Sequence, residues 1–203
     1  MRVLYLGLLM MGLLGIGGEG QTALWVVAID AGHGGDDTGG IGVDNLIEKE
    51  IVLQIAHLIA LEASSLPNIR IILTRSDDRY RSPVERIAHA QGAHFFISLH
   101  LDFSYNPWMR GIRAIVPTHP TSSTKALAEV LCRRIVTATK GPAWETKTAP
   151  LWLRRLSVPA VQLNLGFITN PEEARKLGQL AYQKRLAQAI VEGISEFVSN
   201  SPK

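Results

Sequence analysis

The feature that most constrains this chain is a series of short apolar runs, each closing on a polar segment. Residues 24–29 run into Asp30-Ala31-Gly32-His33-Gly34-Gly35. Residues 95–99 run into His100-Leu101-Asp102, and residues 158–165, which carry Gln162 and Asn164, run into Gly166-Phe167. Apolar runs this short suit strands covered on both faces, as in parallel sheets. Between them lie stretches with helical spacing. Ile51, Ile55, Leu58 and Leu61 share one face over residues 48–62, and Leu127, Val130, Leu131 and Ile135 share one over 121–139. Ser82-Pro83-Val84-Glu85 and Asn170-Pro171-Glu172-Glu173 have the pattern of helix starts: a capping side chain, proline in the first turn, then acid. The alternation predicts a single α/β domain, a twisted and mostly parallel sheet with helices on both faces. Strands are expected at 24–29, 69–74, 95–99, 111–116 and 158–165, a helix from Ser82 to about Gln91, and a closing helix over 180–198. Residues 140–157 read as irregular.

Composition narrows the function classes. A length of 203 residues suits one domain, and 46% hydrophobic against 19% charged residues describes a globular body. A net charge of +3, evenly spread, gives no nucleic-acid footprint. A lone cysteine, Cys132, excludes a disulfide framework and any multi-cysteine metal site. The N-terminus has Arg2, a leucine-rich run over 3–16, then Gly17-Gly18-Glu19-Gly20. That order reads as a secretory signal peptide over residues 1–22, leaving a domain over 23–203 that acts outside the cytoplasm, in a periplasm or secreted. The run is shorter than the roughly 20 residues of a stable bilayer span. After signal removal, no membrane anchor is expected.

In open α/β sheets, the carboxyl ends of parallel strands line one crevice. His33, His100 and Asn164 all sit at such ends, and Glu48 opens a helix that can reach the same rim. Two imidazoles and a carboxylate make a three-ligand zinc site with a position left for water or substrate. Asp30 is placed to orient a ligand imidazole or to hold the Gly-rich turn. A second reading starts a non-haem iron triad at His100-x-Asp102, although such sites favour double-sheet β folds. Nucleotide readings of the Gly-rich turn fail: no Lys-Ser/Thr follows it, and Asp37 stands where a dinucleotide fingerprint needs its third glycine. His57, His89, His94 and His119 read as structural or surface residues.

The ordered motifs resemble those of the zinc-dependent N-acetylmuramoyl-L-alanine amidases of the Amidase_3 type. The resemblance rests on Ile29 to Gly35 with Asp37 and Gly39, on Glu48-Lys49, and on Leu73-Thr74-Arg75 with Asp78 and Arg86. It continues through Ile97-Ser98-Leu99-His100 with Asp102, then Pro159-Ala160-Val161 and Leu165 to Pro171. It implies a sheet of about six strands and a zinc ion (Zn2+) held by His33, Glu48 and His100. It implies peptidoglycan as partner and substrate; the chain itself is expected to be a monomer. The bond cut is the amide between N-acetylmuramic acid and L-alanine of the stem peptide, with a glutamate moving the proton.

The chain departs from the family at that glutamate. The position, five residues after Pro159, is Asn164. An amide cannot exchange a proton near neutral pH, but it can hold a water or steady an oxyanion. Two expectations follow: an amidase in which Asn164 takes a catalytic place and Asp102 contacts substrate, or a catalytically impaired relative that binds peptidoglycan or a partner protein. A second departure is the short connection between His100 and Gly111. Some cell-division members of the family place a site-blocking helix there, and ten residues do not accommodate one, so an open site is expected. Phe103, Tyr105, Pro107, Trp108 and Met109 in that connection are candidates for a groove wall.

Overall fold

The computed structural model describes residues 24–149 and 152–201; the expected signal peptide lies outside them. The elements in chain order are β1 (Trp25–Ala31), α1 (Glu48–Ala63), β2 (Ile69–Leu73), α2 (Pro83–His89), β3 (Phe95–Asp102), β4 (Arg113–Pro117), α3 (Ser122–Thr139), β5 (Glu145–Ala149), β6 (Ala160–Phe167), α4 (Pro171–Leu177) and α5 (Leu180–Asn200). The strands form one six-stranded sheet in the order β2-β1-β3-β6-β4-β5. All neighbours are parallel except β4 and β6. Four strands therefore run one way, and the β4–β5 pair runs the other. Among the described residues, no helix is long and apolar enough to cross a membrane.

The continuous apolar run of β1 is buried on both faces. Val27, Ile29 and Ala31 belong to the larger core with Ile51, Ile55 and Ile59 of α1, Leu127 and Leu131 of α3, and Ile190 and Ile194 of α5. Phe95 meets Phe197 of α5 edge to face, with ring centroids 5.2 Å apart. Val26 and Ala28 face the other way, with Phe96 and Ala160, onto a smaller core. That core is closed by Ala90 and Ala93 after α2 and by Leu153 of a 3-10 turn, Trp152–Arg155. Three long helices thus cover one face, and short elements cover the other.

Local signals set the helix starts. Ser82 accepts from the Glu85 N–H while the Glu85 carboxylate accepts from the Ser82 N–H, a reciprocal capping box. Asn170 accepts from the N–H groups of Glu172 and Glu173. Helix α2 ends at His89, short of the expected Gln91. The expected irregular stretch over 140–157 instead contains β5 and the 3-10 turn. Strand β5 reads Glu-Thr-Lys-Thr-Ala, is almost wholly exposed and pairs only with β4 at the sheet edge. It has no apolar run to announce it, and its Lys147 is the kind of charge that protects an edge from further pairing.

Strand order brings the site together. The connection after β1 leads to β2 on one side, and the connection after β3 leads toward β6 and β4 on the other. The chain diverges between β1 and β3, so a crevice opens at their carboxyl ends.

Candidate metal centre

Three side chains meet in that crevice. His33 follows β1, His100 lies in β3, and Glu48 is the first residue of α1. His33 Nε2 lies 3.1 Å from Glu48 Oε1, His100 Nδ1 lies 3.0 Å from the same oxygen, and the two nitrogens are 3.1 Å apart. Among the described residues this is the one His/Cys/Asp/Glu group arranged to hold an ion. Two ligands on a tetrahedral zinc with bonds of about 2.0–2.1 Å stand about 3.3 Å apart, so the triangle needs only slight expansion. The donor set, two imidazoles and one carboxylate, is the chemistry such an ion takes. Both imidazoles remain about one-fifth exposed, so the site is open to solvent.

Each of these three side chains is oriented by the chain around it. Glu48 is held at both oxygens, by the Leu101 N–H at 2.8 Å and the Gly40 N–H at 2.8 Å. Burial disfavours its charge, but hydrogen bonds and charge from His100 and His33 outweigh that and keep the carboxyl far below its ordinary range. His33 sits in the left-handed region, φ 61°. Its Nδ1 faces the Asp37 carboxylate at 3.0 Å, leaving Nε2 for the triangle. Burial lowers the His33 pKa, while Glu48 and Asp37 together more than reverse this, leaving it raised. Gly39 adopts φ 66°, and a Cβ there would stand 2.6 Å from the His33 ring and 2.8 Å from Glu48 Oε2. A Cβ at Gly32 would overlap the His100 ring at 2.4 Å. The glycines are required because the backbone wraps directly against these three side chains.

Asp30 makes no hydrogen bond to either imidazole. Its Oδ1 accepts from Arg86 at 2.7 Å and Thr74 at 2.5 Å, and its Oδ2 accepts from Ser98 at 2.7 Å, all buried. Arg86 also donates to the carbonyls of Ala31 and His33, so Asp30 holds the Gly-rich turn through that guanidinium. The carboxylate beside the His33 ring is Asp37, four residues later; the sequence places it in the Gly-rich motif and against a nucleotide fingerprint but gives it no orienting role. Asp30→Ala leaves the Arg86 charge buried without its partner and should cost about 3–5 kcal/mol. At roughly 2–4 °C per kcal/mol for a domain of this size, thermal unfolding followed by circular dichroism should show a fall on the order of 10 °C. A fall under about 2 °C would show that the pair does not hold the turn.

Asn164 lies in β6, in register with His100 of β3 on one side and Arg113 of β4 on the other. It is buried, and its amide is engaged at both ends. Nδ2 donates to Asp102 Oδ1 at 2.8 Å, and Oδ1 accepts from Gln162 Nε2 at 2.9 Å. Burial pushes the Asp102 carboxyl up, against the opposing pull of Asn164 and Arg113. Asp102 Oδ2 makes no hydrogen bond and lies 3.4 Å from Arg113 Nη1. Glu173 is occupied elsewhere: its oxygens accept from the N–H groups of Gly111 and Phe167. Glu172 pairs with Lys176 at the surface. His94 accepts from the Val26 N–H and His57 contacts the Ser76 carbonyl, both structural uses. The connection from Phe103 to Ile112 contains no helix. A cavity of about 660 Å³ lies apart from the triad and is lined in part by His119, Thr121, Arg154 and Pro159.

The family profile described as N-acetylmuramoyl-L-alanine amidase matches residues 27–196. The chain is 31% identical to the N-acetylmuramoyl-L-alanine amidase AmiA of Escherichia coli over 85% of this chain and 75% of that protein. The crystal structure of an N-acetylmuramoyl-L-alanine amidase from Clostridium difficile 630 superposes with a TM-score of 0.84 at 31% identity, covering 88% of this chain and 99% of that one. The catalytic domain of CwlV, an N-acetylmuramoyl-L-alanine amidase from Bacillus (Paenibacillus) polymyxa, superposes with a TM-score of 0.81 at 30% identity, covering 88% of this chain and all of that one.

Proposed function

The chain belongs to the N-acetylmuramoyl-L-alanine amidase family, a family of hydrolytic enzymes, and from that premise we propose that it cuts peptidoglycan at the amide joining N-acetylmuramic acid to L-alanine, with zinc held by His33, Glu48 and His100. The observation that carries the reading is the triangle of donor atoms, 3.0–3.1 Å on each edge, at the crevice where the sheet connections diverge. When bound, such an ion lowers the pKa of water and polarises a carbonyl.

The protein's own contribution is orientation. Asp37 fixes the His33 ring, and two backbone N–H groups fix Glu48. Asn164 borders His100 and presents an amide, clamped by Gln162 and Asp102, where its remaining N–H can hold a water or an oxyanion. Asp102 is the carboxylate of this rim and contacts substrate beside Asn164. Residues 1–22 direct the domain out of the cytoplasm, where its substrate lies. A second reading is favoured by one observation: no carboxylate stands at residue 164. In that reading the chain binds peptidoglycan or a partner protein without efficient turnover.

Digestion of purified sacculi by the zinc-loaded protein tests the first reading. Mass spectrometry should find newly freed L-alanine amino termini and lactyl-bearing glycan. A chelator should stop their release, and added zinc should restore it. Intact sacculi after prolonged incubation with zinc-loaded protein would favour the binding role.

A further inference from the structure

The connection leaving β3 carries aromatic rings into solvent directly beyond the triad. Phe103 is 51% exposed, Tyr105 95% and Trp108 84%. Exposed rings gathered in one short segment mark a contact surface more often than scattered ones do. The segment is also pinned. Ser104 N–H donates to Thr169 Oγ1 at 3.0 Å, Asn106 N–H to Ser104 Oγ at 3.1 Å, and Trp108 N–H to Asn106 Oδ1 at 3.0 Å. Asn170 Nδ2 donates to the Pro107 carbonyl at 2.7 Å, and Gly111 N–H to Glu173 Oε1 at 2.9 Å. Phe103 and Tyr105 meet edge to face with centroids 5.2 Å apart. The segment is thus held by its backbone, tied to the end of β6 and the start of α4, and not by burying its rings.

We propose that Phe103, Tyr105 and Trp108 form a stacking platform for pyranose rings of the glycan strand flanking the cut site, which deepens the amidase reading and rests on it. A pyranose presents a face of C–H bonds, apolar and slightly positive, that matches the negative face of an aromatic ring. A platform already ordered by hydrogen bonds loses little freedom on binding. Its place supports a glycan over a lipid surface. Phe103 comes directly after the end of β3, the strand that carries His100 and Asp102, so a polymer extending from the triad along β3 meets these rings. Ser104 and Asn106 alternate with the rings, and Arg110 follows them with its guanidinium exposed, which keeps the segment polar between its aromatics.

The test uses the β-1,4-linked N-acetylglucosamine hexamer, which has neither a scissile amide nor a lipid. Binding to the whole protein is followed by tryptophan fluorescence and calorimetry. The natural protein should bind it, Tyr105→Ala and Trp108→Ala should each weaken binding roughly three- to tenfold, and Trp108→Phe should retain most of it. Unfolding temperatures should not change, because the side chains are exposed. Phosphatidylglycerol vesicles should not bind. The proposal is overturned by no hexamer binding to the natural protein, by unchanged affinity when Tyr105→Ala and Trp108→Ala are combined, or by vesicle binding that disappears with the rings. Hexamer binding without sacculus cleavage would leave a glycan platform standing and remove the amidase reading instead.

Discussion

Asn164→Glu is expected to raise the rate of stem-peptide release from purified sacculi by about 10²–10⁴, the usual worth of a positioned general acid–base group. The position is prepared for it. Residue 164 is in register with His100, and Gln162 Nε2 already donates to the oxygen of its side chain, so a carboxylate there keeps a donor. Asp102 would lose the Asn164 N–H but keep the Arg113 charge 3.4 Å away. The glutamate is one methylene longer in a buried place, so some loss of stability should accompany the gain. A rise in rate from a slow natural protein means that the amide limits proton movement and little else. An unchanged rate, with the natural protein already active, means that another group carries the proton.

Removing a ligand should have the opposite effect and a larger one. His33→Ala or His100→Ala leaves two protein ligands where zinc sites use three or four. Zinc affinity should drop by more than the roughly 10–100-fold seen when only an outer hydrogen-bonding partner is lost, and sacculus cleavage should fall to background. Cys132 cannot compensate, because it is buried in α3 within the larger core and burial pushes its thiol up to about 12. Zinc retained after dialysis against a competing chelator, measured for each variant beside the natural protein, reads the effect. Retention of a full equivalent by either variant would contradict the assignment.

The parts of this molecule that were legible in its sequence are those written in local chemistry. The β1 run is apolar because both its faces are covered, and the Ser82 and Asn170 caps state where α2 and α4 begin. The glycines around His33 mark a tight Gly-rich turn, and the structure shows why: the backbone there lies against the His33 and His100 rings. What escaped is set by tertiary context. Strand β5 is polar and exposed, so only its pairing with β4 makes it a strand. The reversal of β4 and β5 relative to the other strands leaves no local trace. Asp30 and Asp37 are both acids near His33, and their roles could be told apart only once Arg86 was seen to claim Asp30. The hydrogen bonds that hold residues 103–111 run to Thr169, Asn170 and Glu173, more than sixty positions away.

X-ray absorption at the zinc edge of the metal-loaded protein tests the central claim most directly. The account predicts one tightly bound zinc per chain, ringed by two imidazole nitrogens and one carboxylate oxygen at about 2.0–2.2 Å with no sulfur, and a spectrum that loses one imidazole in His100→Ala. A spectrum unchanged by His100→Ala, or one that shows sulfur, would contradict it.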